Sequence, residues 1–327
     1  MGVPPGGTPP DRARDPVRVS PWDVHDEQVA VTFAGPVDVR RTMAPLRHGR
    51  HDPTHQVVPD GVVWRTTVTS SGPATLRVEQ LDPTSVRVTA WGAGSAEAVA
   101  LAPGLVGAWD DPTGFTPGPG PVREAFRRTW TVRLTRSGRV LESLVPMILE
   151  QRVITRTATD AWRWLVRHHG SCAPGPAPDG MRVAPDARTW AGVPSWDFHR
   201  AGVDPRRART VVAAARLAPS LERAVVLPAQ QALALLRQVP GVGPWTAAET
   251  AQRAFGDPDA VTVGDFHLPH QVGWALAGRR TDDAGMLALL EPFRGHRHRA
   301  VRHLMLAGAA REPRRAPRLA VEDHRRR

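Results

Sequence analysis

Val239-Pro240-Gly241-Val242-Gly243-Pro244-Trp245-Thr246-Ala247, followed by a lone carboxylate in Val261-Thr262-Val263-Gly264-Asp265-Phe266-His267, decides how this chain is read. Ahead of the first string, Ala232, Leu235, Leu236 and Val239 recur at three- and four-residue spacing, the apolar stripe of a short helix. Pro240-Gly241 ends it. Gly241 and Gly243 permit backbone angles that a side chain penalises, and Pro244 suits a first helical turn, where its missing N–H would have no partner anyway. A second helix is predicted over 244–255. Its opening turn offers unpaired N–H groups and the positive end of the helix dipole, a seat for a phosphate.

A Gly-x-Gly turn between helices is by itself usually a tight connection. Joined to an Asp twenty residues past Trp245, the string resembles the helix-hairpin-helix (HhH-GPD) DNA glycosylase superfamily, and most closely its DNA-3-methyladenine glycosylase II branch. Leu144-Val145-Pro146-Met147-Ile148-Leu149-Glu150-Gln151-Arg152-Val153 is similar to that family's first core helix with its glutamine-containing turn. Ala201-Gly202-Val203-Asp204-Pro205-Arg206-Arg207-Ala208-Arg209 is similar to its Gly-containing turn into an Arg-Ala helix. The resemblance runs by motifs over residues 120–310 and as a looser pattern over 20–115. It implies that Gly241, Val242, Gly243, Pro244 and Thr246 bind the DNA strand beside a lesion. It also implies that Asp265 is the catalytic carboxylate, and that Gln151 or Arg152 fills the space left by an extruded nucleotide. A monovalent cation held by the carbonyls of Arg237, Val239 and Val242 is implied in the same way.

Composition sets bounds. The 327 residues suffice for two domains and a substantial core without disulfides. The single Cys172 fits a reducing cytoplasm and forbids a four-cysteine iron–sulfur loop. No signal peptide or membrane-spanning run is read, so the expectation is a cytoplasmic, nucleoid-associated monomer that needs no cofactor. Charge is unevenly spread: residues 1–120 hold 10 Arg against 13 acidic residues, and residues 121–327 hold 33 Arg against 19. The basic part is thus the part expected to bind nucleic acid. Arg-rich composition from a G+C-rich genome is the bland alternative, which leaves the acidic first part unexplained.

There is no lysine in the chain. Strand-nicking glycosylases attack the sugar with an amine, which in relatives sits at the position of Trp245, so the resemblance implies a monofunctional enzyme that uses water.

Along the chain, residues 1–18 are expected to be disordered, and 19–120 to form a small antiparallel sheet with one or two helices. Relatives carry a domain like half of the TATA-binding protein there. Strand-like alternation covers 29–33, 62–68, 75–79 and 85–91. The stretch 113–122 is a Gly/Pro linker. Helices are predicted near 124–134, 139–151, 155–169, 205–217, 229–239, 244–255, 265–276, 282–291 and 296–308, with 172–187 a connecting loop. Residues 311–327 form a basic tail. The fold class is therefore α+β, a helical core of residues 121–310 preceded by a sheet domain.

The chemistry follows from the expected substrate, double-stranded DNA containing alkylated bases. A base inside the stack is out of reach, so it must be flipped into a pocket. An alkylated purine is cationic, and its departure leaves an oxocarbenium-like sugar that a carboxylate such as Asp265 stabilises while orienting water. The alternative for Asp265 is a helix N-cap. Trp245 and Phe266 are candidate pocket rings, since a cation over an indole gains roughly 0.5–2 kcal/mol; core packing is their alternative. Glu249 stands where some relatives have an aromatic and is a candidate for altering base choice. His267 with His270 and His296 with His298 make poor metal spacings, so no metal is expected. Two rivals remain at this stage: a glycosylase for uracil, mismatched or oxidised bases, and a non-catalytic hairpin protein that binds DNA.

Overall fold

The computed structural model describes residues 26–309. The expectations for 1–18 and for the basic tail at 311–327 fall outside them. Five antiparallel strands form one sheet: β1 (Glu27–Thr32), β2 (His55–Val57), β3 (Val63–Thr69), β4 (Gly72–Asp82) and β5 (Ser85–Trp91), in the order β1-β5-β4-β3-β2. Alternation in sequence becomes two faces in space. Val63 pairs with Val78, and Val78 with Val88, so one face is a valine-rich floor. The helices α1 (Val39–Met43) and α2 (Ser95–Leu105) cover it, burying Met43, Ala98, Ala102 and Leu105. On the other face Trp64 stacks on Trp91 at 5.6 Å.

That second face explains one correction. The expected loop at 172–187 carries a short ribbon, β6 (Ser171–Cys172) with β7 (Arg182–Val183), and its Met181 packs against Trp64. Likewise the 113–122 linker is not slack. Phe115 is buried between Phe126 and His303, which fixes the link to the helical part.

The remaining chain is helical. It runs through α3 (Pro121–Thr129), α4 (Val140–Leu149), α5 (Thr155–His169), α6 (Ala187–Gly192), α7 (Ser195–Arg200), α8 (Pro205–Arg216) and α9 (Ala218–Leu221). It continues with α10 (Ala229–Leu236), α11 (Pro244–Ala254), α12 (Leu268–Ala277), α13 (Asp283–Leu290) and α14 (Arg297–Leu306). The core is built around α4, whose every residue but Glu142 is buried. Its Leu144, Val145 and Ile148 share a cluster with Trp162 and Leu165 of α5, Val211 of α8 and Leu236 of α10. An apolar run of that length with helical neighbours on every side needs no polar face.

Three buried polar links fasten the sheet to the helices. Arg65 on β3 pairs with Glu142, which also accepts a hydrogen bond from Thr67 Oγ1 at 2.6 Å. Asp52 accepts the indole N–H of Trp162 at 3.0 Å. Arg299 on α14 meets Asp110 through two bonds of 2.7 and 2.8 Å, and both side chains are 2 % exposed.

Candidate active site

α10 and α11 form the two arms of the hairpin read from the sequence. Val239 and Val242 drop their side chains into the core, and Val242 N–H closes the turn on Val239 O at 3.0 Å. Gly241 has φ +93, and a Cβ there would lie 2.2 Å from Thr210 Oγ1, so glycine is required on both counts. Gly243 departs from expectation. Its φ of −95 and ψ of −177 suit any residue, and a Cβ would meet nothing within 4 Å. Its bareness serves the open space in front of the turn rather than the fold.

Pro244 is exposed at the head of α11, while Thr246 is buried. Val242 and Thr246 therefore present backbone, not side chain, to the outside. The first helical bond runs from Ala247 N–H to Gly243 O at 3.0 Å, which leaves the N–H groups of Trp245 and Thr246 without a helical acceptor. The carbonyl of Val239 is engaged by Val242 N–H; among the described residues no protein N–H reaches those of Arg237 and Val242, so the turn keeps oxygen donors of the kind a monovalent cation takes.

Gln151 and Arg152 follow α4 directly and diverge in role. Gln151 Nε2 donates to Gly241 O at 3.0 Å and to Thr246 Oγ1 at 2.8 Å, so its amide braces the hairpin instead of standing free. Arg152 is exposed, with φ +55, the one positive-φ residue other than glycine among the described residues. Left-handed backbone costs an L side chain about 1–2 kcal/mol.

Asp265 both caps and faces the hairpin. Its Oδ1 accepts the N–H groups of His267 at 2.7 Å and Leu268 at 2.8 Å, ahead of α12, which starts later than the 265–276 expected. Its Oδ2 accepts the indole N–H of Trp245 at 2.9 Å. Each carboxylate oxygen has two lone-pair directions. Both on Oδ1 are taken, whereas Oδ2 keeps one. The preceding Gly264, at φ +84, donates its N–H to the Asp283 carboxylate at 3.1 and 3.2 Å, which holds the bend that aims Asp265.

Of the expected pocket residues, Trp245 is half-buried with its edge on Asp265, and Phe266 is 74 % exposed with its ring edge-on to His267. Phe266 therefore walls no enclosed pocket. Glu249 is a joint: its Oε1 accepts from Thr262 Oγ1 at 2.7 Å and its Oε2 from Arg253 Nη1 at 2.6 Å. This ties α11 to the segment leading into Asp265. Beside it, burial pushes the Glu150 carboxyl up, with Arg253 opposing and Glu249 adding to the shift. Asp283 and Thr262 went unnoticed in the sequence because their partners lie 19 and 13 positions away; Arg253, one helical turn from Glu249, was open to an i,i+4 reading that was not made.

His270 Nδ1 lies 2.8 Å from Thr281 O, and His296 Nε2 lies 3.0 Å from Thr113 O. No group of three or more His, Cys, Asp or Glu side chains gathers among the described residues.

No protein-family model matches the chain, and no curated protein matches it in sequence. Solved structures do match in fold. The 3-methyladenine DNA-glycosylase from Archaeoglobus fulgidus superposes with a TM-score of 0.72 at 16 % identity, covering 85 % of this chain and 97 % of its own. The 8-oxoguanine glycosylase/lyase of Clostridium acetobutylicum, in complex with DNA containing cytosine opposite 8-oxoG, gives 0.66 at 12 % identity over 87 % and 97 %. MBOgg1, solved in complex with a low affinity DNA ligand, gives 0.66 at 15 % identity over 86 % and 95 %. The sheet and the helical core together thus share their overall fold with these solved DNA glycosylases.

Proposed function

We propose that this protein is a monofunctional DNA glycosylase of base-excision repair. It grips duplex DNA at the 241–246 hairpin, extrudes a damaged nucleotide, and hydrolyses the N-glycosidic bond to leave an abasic site. One observation carries the reading: the Asp265 carboxylate is clamped by three donors yet keeps one acceptor direction on Oδ2, beside the phosphate-seating end of α11. In the reaction the C1′–N bond breaks and its electron pair leaves with the base. The sugar passes through an oxocarbenium-like state beside the fixed carboxylate. Water then bonds to C1′, and its proton moves to Oδ2 and on to the released base or solvent. The amine route is closed to side chains, since the chain has no lysine and an indole stands at position 245.

Arg152, exposed at the end of α4 and strained at its backbone, supplies the group that enters the duplex or meets a phosphate. The motif resemblance points to alkylated purines as the bases removed. Oxidised bases are the second reading, supported by a neighbour in fold named for 8-oxoguanine.

The test is release of free base from duplexes bearing single lesions, followed by chromatography, for the natural protein and Asp265→Asn. Loss of release by 100-fold or more with DNA affinity within about threefold is expected, and borohydride should trap no protein on DNA. Equal loss of binding and release in a folded Asp265→Asn variant makes the carboxylate a cap only. A trapped adduct overturns the hydrolytic route.

A further inference from the structure

Beyond the carboxylate, the stripe Trp245, Glu249, Gln252, Arg253 runs along one face of α11 at spacings of four, seven and eight residues. It leads to a cavity of about 140 Å³ where the helical core meets the turn after α1. Thr42 and Pro45 form one side, Arg133 and Arg253 another, and His298 and Arg302 of α14 close it. By the space one water needs, that volume takes about ten atoms of heterocycle. Helical side chains lean towards the N-terminus. The Arg253 guanidinium accordingly reaches back to Glu249, bonding its backbone O at 2.9 Å, on the helix face that carries Trp245 about two turns, roughly 12 Å, before Arg253.

The lining is unbalanced in charge. Arg253 has Glu249 as its partner. Arg302 donates from Nη2 to Arg41 O at 2.8 Å, and among the described residues neither it nor Arg133 has a carboxylate within ion-pair distance. Burial and then Arg253 lower Arg302 to about 10, so it stays charged at neutral pH. Burial, then Arg302 and Arg253, lower His298 to about 3 and leave a neutral imidazole.

We propose that this cavity receives the extruded base and that Arg302 and Arg133 select a base that is neutral in DNA, bears carbonyl oxygens and departs as an anion, in preference to a cationic alkylated purine. The preference rests on the glycosylase reading above and follows from where charge moves. When a neutral base leaves, the bonding pair places a negative charge on its ring, which an arginine-lined wall stabilises as it forms. The carbonyl oxygens accept the guanidinium donors. A cationic purine brings a positive charge to the same wall at the outset and leaves neutral, so the wall opposes its entry and gains nothing on departure. Oxidised and deaminated bases, of the 8-oxoguanine and hypoxanthine type, have the favoured chemistry.

The experiment measures single-turnover base release from duplexes holding 8-oxoguanine, hypoxanthine or 7-methylguanine, each divided by its spontaneous rate. The natural protein, Arg302→Met, Arg302→Lys and Arg133→Met are compared, with melting temperature as the check on folding. The natural protein should favour 8-oxoguanine or hypoxanthine, the two neutral bases, over cationic 7-methylguanine by tenfold or more. Arg302→Met should lower that ratio by at least tenfold, with partial recovery in Arg302→Lys; if Arg302→Met does not fold, Arg133→Met carries the same reading. A preference for 7-methylguanine in the natural protein, or a ratio that none of the substitutions moves, overturns the proposal while leaving a glycosylase. Release of no base from any duplex, with or without Asp265→Asn, overturns the glycosylase reading instead.

Discussion

A carboxylate that caps a helix is ordinary; one whose second oxygen is steered by an indole is not. Beyond its two backbone donors, the Oδ2 oxygen of Asp265 is steered by Trp245 through a bond of 2.9 Å. A hydrogen bond to a charged group contributes about 1.5–3 kcal/mol, and here the loss falls on orientation of the reacting group. Trp245→Phe should therefore keep the fold, with a melting temperature within a few degrees of the natural protein, and slow single-turnover base release by about 10- to 100-fold. An unchanged rate would mean that the two backbone donors alone aim the carboxylate. At this scale the nearness of Asp265 to Trp245 and the need for Gly241 were legible, because spacing along one hairpin is a local property, whereas the backbone of Gly243 suits any residue. The sequence was blind to Glu249 as a joint, since Thr262 becomes its partner only when the segment before Asp265 packs beside α11, although Arg253 stands one turn along the same helix. Gln151 shows the same limit: its position suggested a probe of DNA, and only the folded chain shows that its amide also bonds the hairpin.

The two glycines of the hairpin look alike in sequence and separate in the folded element. Gly241→Ala meets Thr210 Oγ1 at 2.2 Å with an unfavourable φ of +93, and should cost about 1–3 kcal/mol of stability. Gly243→Ala meets no neighbour, so thermal unfolding should be unchanged while affinity for duplex DNA drops, as a methyl group enters the space a phosphate would use. Melting curves beside a binding titration separate the two, and a Gly243→Ala variant that unfolds early without losing DNA affinity would reverse their roles. Long periodic helices such as α5 and α8 were readable from pattern. The short α6, α7 and α9 were not, for each has six residues or fewer and too few turns to show a period. α2 is one of the one or two helices expected within 19–120 without a stated place; Pro103 and Gly104 lie inside it, and a Cβ at Gly104 would strike the Trp109 ring at 2.4 Å.

Across the whole molecule, stability leans on polar groups sealed between the sheet and the helices. The Asp110–Arg299 pair is buried on both sides, and removing one partner of such a pair costs about 3–5 kcal/mol. Histidines are sealed in with it. Burial first, and then Arg299, hold His303 at about 4, with its Nδ1 2.7 Å from Thr129 Oγ1; His48 and His55 are also held well below their usual value by burial. For a base with a lowered folded pKa, the unfolded chain takes up the proton first, so stability is intact above about pH 6.5 and is lost as pH falls towards 4. His303 alone accounts for on the order of 3 kcal/mol by pH 4. Melting temperature should fall steeply over that window, and His303→Asn should flatten the slope; a profile level from pH 7 to 4 would contradict it. None of this was visible beforehand, because the links join residues 75 or more positions apart. One outcome concerns synthesis. The cavity draws Thr42 and Pro45 from early in the chain and His298 and Arg302 from α14, among the last residues described. As the chain leaves the ribosome, the hairpin and Asp265 emerge before that final wall does, so an unfinished polypeptide would hold the carboxylate proposed to cut without the arginine proposed to choose.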